Sequence, residues 1–235
     1  MVRMQLELGG KDPIYVCSDT DISSTAAIAA DGAMNNSGQS RGSVERIYVE
    51  QPLYEAFVEA FVTEVRRLRV GDPTHEETSI GPLAREPQPA ALRAQVEDAV
   101  AKGARLVLGG ARIERPGNWF EPTVLADANH AMALMREQSS GPIAGIQRVR
   151  GDDEAVHLMN DSEFGLGAGV FTRDPGRAER ILAQVRTGSA YWNCCDRASP
   201  YLPWGGAGRS GIGVTLSTYG IEAFTRPRAW HLRAP

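Results

Sequence analysis

Cysteine is scarce in this chain, with three in 235 residues. Cys17 stands alone and Cys194 adjoins Cys195, so no spaced framework of bridges is available, and a reducing, cytoplasmic setting is expected. The four histidines, His75, His130, His157 and His231, are scattered singly without metal-ligand spacing, so no metal site is expected. Charge of one sign is also lacking: the net charge is −4, which leaves no electrostatic footprint for nucleic acid or for an anionic membrane surface. No apolar run approaches the ~20 residues needed to span a bilayer. The opening MVRMQLELGG has no apolar stretch of the kind that makes a signal peptide. What is present, 42% hydrophobic and 23% charged residues, suits a globular chain able to bury one sizeable core.

The hydrophobic pattern alternates between strand-like and helix-like segments. Ile14 to Cys17 is a short apolar run after Pro13. An Ala-rich stretch from Ile22 to Met34 follows, with Asp19 or Asp21 as its N-cap. Val44 to Val49 is β-branched and reads as a strand. Past Pro52, the residues Leu53, Tyr54, Phe57, Val58, Phe61, Val62, Val65 and Leu68 recur at helical spacing. A further helix is expected from Ala90 to Lys102, stopped by Gly103, with a strand at Arg105 to Leu108. Gly169 to Thr172 is a strand, Asp174-Pro175 opens a helix through Val185, and Gly188 to Trp192 closes the unit. This order predicts an α/β fold: a doubly wound, largely parallel sheet with flanking helices. Pro203 to Gly213 is the long, glycine-rich loop. One feature fits poorly: Glu7-Leu8-Gly9-Gly10-Lys11 stands almost at residue 1 with no element before it, so something upstream is expected to be missing.

Residue chemistry alone leaves alternatives open. Glu7 lies between Leu6 and Leu8, where desolvation would raise its pKa toward general-base work; equally, it reads as an exposed acid beside Lys11. Cys17 ends an apolar run as a small buried hydrophobe. Cys194 and Cys195 end a strand, a place for chemistry, yet have no histidine nearby in sequence and also suit a core or surface role. Gly205-Gly206-Ala207-Gly208 lacks the lysine and hydroxyl of a phosphate loop and reads as a turn-rich connection.

Together the motifs resemble those of the aldehyde dehydrogenase superfamily, collinearly over essentially the whole chain. Leu6-Glu7-Leu8-Gly9-Gly10-Lys11-Asp12-Pro13 is similar to that family's E-L-G-G-K segment. Asn36-Ser37-Gly38-Gln39 resembles the approach to its nucleophile loop, followed by Ser43-Val44-Glu45-Arg46-Ile47-Tyr48-Val49. Gly71-Asp72-Pro73, Ile80-Gly81-Pro82-Leu83, Glu121-Pro122-Thr123, Gly141-Pro142, Asn160 with Phe164-Gly165-Leu166, Pro203-Trp204-Gly205-Gly206 and Ser210-Gly211 follow in the family's order. The resemblance implies a reaction in which a cysteine thiolate attacks an aldehyde, hydride passes to NAD or NADP, and a glutamate-activated water hydrolyses the thioester. It assigns Glu7 as that glutamate, Gly9 and Gly10 as the backbone that approaches the nicotinamide, and Asn193 to the substrate pocket.

The departures from the family pattern carry as much information. The nucleophilic cysteine belongs two residues after Gln39, where this chain has Arg41, a side chain always charged and never a nucleophile. Ser40 and Ser43 have no adjacent histidine to activate them, leaving Cys194 or Cys195 as the alternative thiols. Before Gly141-Pro142 the family carries a glutamate and an aromatic that hold the nicotinamide ribose and ring; here they are Gln138 and Ser140, a neutral amide and no aromatic face. The resemblance extends over the catalytic half only, so the amino-terminal cofactor domain is expected to be absent and cofactor binding by this chain alone to be impaired. Residues 1–212 are then the catalytic domain and 213–235 a tail. Ile221 to Leu232, with Phe224 and Trp230, is expected to be an assembly strand that pairs with another copy or a related subunit. The sequence thus points to aldehyde oxidation disarmed at Arg41 or to a non-catalytic subunit.

Overall fold

The computed structural model describes residues 4–195 and 198–235. A seven-stranded sheet forms its centre. In chain order the elements are β1 (Leu6–Glu7), β2 (Asp12–Val16), α1 (Ile22–Met34), β3 (Val44–Glu50), α2 (Tyr54–Arg66), α3 (Gln88–Ala101), β4 (Arg105–Leu108), β5 (Thr123–Ala126), β6 (Ile143–Val149), α4 (Asp152–Asn160), β7 (Phe164–Gly165), β8 (Gly167–Phe171), α5 (Pro175–Leu182), β9 (Ser189–Trp192), β10 (Ala207–Gly208), β11 (Gly211–Ile212) and α6 (Ser217–Glu222). The sheet order is β4-β5-β6-β3-β2-β8-β9, and every pairing is parallel except that of the edge strand β4.

Both faces of the sheet are covered, which is why β2 and β3 are near-continuous apolar runs rather than alternating ones. On one face α1 and α2 pack Ala26, Ala29, Met34, Phe57 and Phe61 onto Ile14, Val16, Ile47 and Ile146. On the other, α3, α4 and α5 pack Leu92, Val96, Ala155, Met159 and Ile181 against Tyr15, Tyr48, Leu125 and Val170. Each fully buried Phe or Leu contributes roughly 1.5–3 kcal/mol, so the two layers together outweigh any surface contact. Helix α1 begins where the Asp21 carboxylate accepts the Ser24 N–H at 2.8 Å, which singles out Asp21 over Asp19 as the cap. Asp19 instead accepts the Thr172 hydroxyl and the Arg173 N–H. Helix α3 starts two residues earlier than its periodicity suggests, and α5 stops at Leu182 rather than Val185.

The glycine-rich segment is not a plain loop. β10 pairs with β7 and β11 pairs with β1, both antiparallel, so the segment folds back over the start of the chain. No strand forms over Ile221 to Leu232: Ile221 and Glu222 close α6, and residues 225–235 have no regular structure. A single strand has no ladder without a partner, and Phe224 and Trp230 stand 86% and 69% exposed.

Because the strands run in parallel, the segments entering β2, β3, β6 and β8 all lie at one edge of the sheet. Residues 7–11, 36–43, 138–141 and 164–166 are those segments, and the candidate site forms where they meet.

Candidate active site

The turn before β3 is wound left-handed over three successive residues, Asn36, Ser37 and Gly38, with φ of 51°, 58° and 66°. Gly38 is required there twice over: the positive φ suits it, and a Cβ would lie 2.1 Å from the Gly141 carbonyl oxygen. The Ser37 hydroxyl bonds both the N–H and the carbonyl of Gly81, at 2.9 and 3.1 Å. The Gln39 amide oxygen accepts the Ala84 N–H at 2.8 Å. These contacts fix the backbone at residue 41 regardless of which side chain it bears.

Beneath the turn lies a buried ion pair. The Lys11 ammonium is 2.6 Å from Glu45 Oε2, with side chains 0% and 2% exposed. Burial pulls the Lys11 pKa down, and Glu45 opposes that shift by favouring the ammonium. Glu45 also accepts the N–H groups of Ser139 and Ser140, at 2.9 and 3.1 Å, and Lys11 donates to the Ser139 hydroxyl. Ser140, at φ 49°, is thereby held in a left-handed conformation that sets the 138–141 loop.

Glu7 and Arg41 come together over this base. The guanidinium donates from Nη2 to Glu7 Oε2 at 2.6 Å and from Nη1 to the Leu8 carbonyl at 3.0 Å. The other Glu7 oxygen accepts the Thr215 hydroxyl at 2.6 Å. Both carboxylate oxygens are therefore occupied. Gly9 and Gly10 permit the approach: a Cβ on Gly10 would lie 2.1 Å from the Arg41 carbonyl oxygen, and one on Gly9 would meet Gln138 Oε1 at 2.6 Å and the Phe164 ring at 2.7 Å. An open cavity of about 240 Å³ lies beside Arg41, lined by Gln39, Ser40, Arg85, Gln88, Gln138 and Ser140 among others.

Glu7, Gly9, Arg41, Gln138 and Ser140, five of the residues picked out in the sequence, thus share one site. Asn193 does not join them. Its amide accepts the Thr172 N–H and donates to the Thr172 carbonyl, both at 3.0 Å, so it closes the end of β9 onto β8 rather than facing a pocket. Cys17 and Cys195 are both buried. Cys195 Sγ is packed against α1 and donates to the Ile28 carbonyl at 3.5 Å, and burial pushes the Cys17 thiol up to about 12. Sequence reasoning missed Lys11 and Glu45, Thr215, and the cavity residues Arg85 and Gln88. Lys11 and Glu45 stood inside motifs that run in family order, whereas Thr215, Arg85 and Gln88 lie outside all of those motifs and carried no signal. Among the described residues no acidic, histidine or cysteine cluster could hold a metal, and no helix is long and apolar enough to cross a membrane.

A carboxylate and a loop that presents residue 41 to it thus meet at one end of a covered parallel sheet. The chain belongs to the aldehyde dehydrogenase family, whose profile matches residues 1–230. It is 41% identical over 219 residues to a succinate-semialdehyde dehydrogenase [NADP(+)] 1 of Mycobacterium tuberculosis, covering 93% of this chain and 48% of that protein. A succinate semialdehyde dehydrogenase [NAD(P)+] of Escherichia coli is 38% identical over 219 residues, with 93% and 47% covered. Among solved structures, an NAD-dependent aldehyde dehydrogenase from Sinorhizobium meliloti superposes with a TM-score of 0.92 at 33% identity, covering 98% of this chain and 48% of that one. Betaine aldehyde dehydrogenase from Staphylococcus aureus, in complex with NAD+, gives 0.89 at 30% identity, covering 94% and 44%. The chain spans about half the length of the curated relatives it matches.

Proposed function

We propose that this chain is the catalytic-domain portion of an NAD(P)-linked aldehyde dehydrogenase scaffold in which aldehyde oxidation is disarmed at Arg41. The observation that carries this reading is the 2.6 Å ion pair between Arg41 and Glu7. The residue at the thiolate position cannot form a thioester, and it holds the carboxylate that would activate water. Loss of a covalent nucleophile alone costs roughly 10⁶-fold in rate. The residues present also do not fit a nicotinamide dinucleotide by themselves. The cavity at Arg41, about 240 Å³, is smaller than the ~300–1,000 Å³ of sites for drug-sized ligands. It is lined by two guanidinium groups and no carboxylate, and the face of Gly9 is covered by Gln138 and Phe164.

The test is a matched NAD(P)-reduction assay with succinate semialdehyde and short-chain aldehydes on this chain and on Arg41→Cys. The unaltered chain is expected to be silent; turnover by Arg41→Cys means a scaffold disarmed at that one position, and silence in both means that the missing fit for the dinucleotide is decisive. Turnover by the unaltered chain overturns the reading.

A non-catalytic role as a subunit is favoured by one further feature. Tyr201, Leu202, Ile221, Phe224, Trp230 and Leu232 are large apolar side chains left exposed, four of them within residues 213–235. Residues 213–235 then act as the assembly tail, pairing with a second copy or a related subunit. Light scattering is expected to give a mass above that of one chain; a clean monomer at micromolar concentration removes this role.

A further inference from the structure

We propose that His130 is a proton-sensitive latch: while neutral it fastens the segment between β5 and β6 to the sheet and to the end of α4, and on protonation it lets that segment loosen. This latch lies apart from Arg41 and does not depend on what stands there. His130 sits in the connection after β5, its side chain 11% exposed, and both ring nitrogens are engaged. Nδ1 lies 2.7 Å from Asp161 Oδ2, just past the end of α4, and Nε2 lies 2.7 Å from the Tyr48 hydroxyl on β3. An ionised carboxylate can only accept, so Nδ1 carries the proton and Nε2 is left as the acceptor for the Tyr48 O–H. The Tyr48 oxygen in turn accepts from Arg46 Nη1 at 3.2 Å, and Arg46 Nε donates to the Lys11 carbonyl at 2.9 Å. One hydrogen-bonded chain therefore runs from partly exposed Asp161 through His130, Tyr48 and Arg46 to the buried entry of β2.

The groups that face the ring are Tyr48 and Arg46 from β3, Asp161 from the end of α4, and Arg136 from the same connection. Of these, the arginines stay charged, burial raises the Tyr48 pKa, and the hydrogen bond from Arg136 holds Asp161 low. His130 is thus the member of the chain that titrates near neutral pH. Burial is the main cause that pulls its pKa below the ordinary value; Arg46 and Arg136 add to it, and Asp161 opposes. A proton on Nε2 would remove the acceptor that Tyr48 uses and force a second donor onto an oxygen already accepting from Arg46. A base whose pKa is lowered in the folded chain stabilises the fold above its unfolded value of about 6.5, and that contribution is lost as pH falls below it. The latch therefore opens toward acid. The segment's anchor on α3 does not follow: Asp98 accepts the Ala133 N–H at 2.8 Å and is held low by Lys102. Glu45 separately holds the N–H groups of Ser139 and Ser140, so loosening is expected over residues 127–137, up to the edge of the cavity beside Arg41.

The experiment is hydrogen–deuterium exchange of the full chain, read by mass spectrometry at about pH 7.5 and about pH 5 and corrected for the intrinsic pH dependence of exchange. The amides to follow are those of Ala128, Met132, Met135 and Arg136, which bond to β6 or within the segment. Their protection is expected to fall by roughly tenfold at the lower pH, while peptides from α2 keep theirs. His130→Gln keeps a donor and an acceptor but cannot titrate, and it is expected to abolish the pH dependence. His130→Ala is expected to leave the segment loosened at both pH values. The His130 ring resonances, followed by NMR, are expected to titrate below the ordinary value of about 6.5. Protection that does not change with pH, a pH effect that survives in His130→Gln, or a midpoint at or above the ordinary value overturns the proposal. The exchange and NMR measurements on the unaltered chain need no variant, so they decide the matter even if a substitution impairs folding.

Discussion

The two edges of the central sheet each carry an arginine at a cluster of loops, and they treat it differently. At the carboxyl-terminal edge Arg177 meets Asp152 at 2.5 Å, Glu50 at 3.0 Å and Asp19 at 3.6 Å, with the Tyr15 hydroxyl bonded to Asp152. The guanidinium is outnumbered by carboxylates and only 18% exposed, and it ties the loops after β2, β3 and β6 to the start of α5. At the amino-terminal edge Arg41 meets a single carboxylate, at 30% and 42% exposure, and Arg85 meets none among the described residues. One edge is a closed charge network that holds strands together. The other is open, and its charges are less evenly matched.

Two substitutions sharpen this contrast. Arg177→Leu is expected to cost about 2 kcal/mol in urea unfolding, somewhat under the ~3–5 kcal/mol typical of a fully buried pair because Arg177 keeps some exposure. A loss under about 0.5 kcal/mol would mean that the carboxyl-terminal network is ornamental. Arg41→Gln is expected to cost less than about 1 kcal/mol by the same measurement, since its pair with Glu7 is open to solvent screening. A cost as large as that of Arg177→Leu would make the Arg41–Glu7 contact a structural clasp, and the contrast between the edges would collapse.

Much of the fold was legible because its signals are local. The apolar spacing of α2 and the β-branched run of β3 survive any tertiary context, and Asp21 caps α1 as its position suggests. Strands β5 and β6 and helix α4 were not recognised. β6 begins after Pro142 and carries Gly145, which weaken a strand pattern, yet it lies buried beside β3, where Met135 and Leu134 fill the space over the glycine. α4 buries only Ala155 and Met159, too few for a periodic stripe. Of the site, the resemblance to a family supplied what periodicity could not. Glu7 and Arg41 are far apart in the chain, and nothing near either residue reveals the other. Lys11 enters the sequence reading only as a neighbour of Glu7, but at the entry to a central strand it is fully buried and paired with Glu45. Asn193 shows the opposite case: a polar residue at a strand end looks available for ligand, while its amide bonds both the N–H and the carbonyl of Thr172.

The left-handed turn at Asn36, Ser37 and Gly38 has a consequence for how such a site changes over time. Its shape is set by Gly81, Gly141 and Ala84, none of which touches the side chain at 41. It works like a jig bolted to the bench, gripping its workpiece in the same place whichever tool is fitted. A swap at 41 therefore alters chemistry without first having to rebuild the loop, and the position is free to lose one trade and take up another.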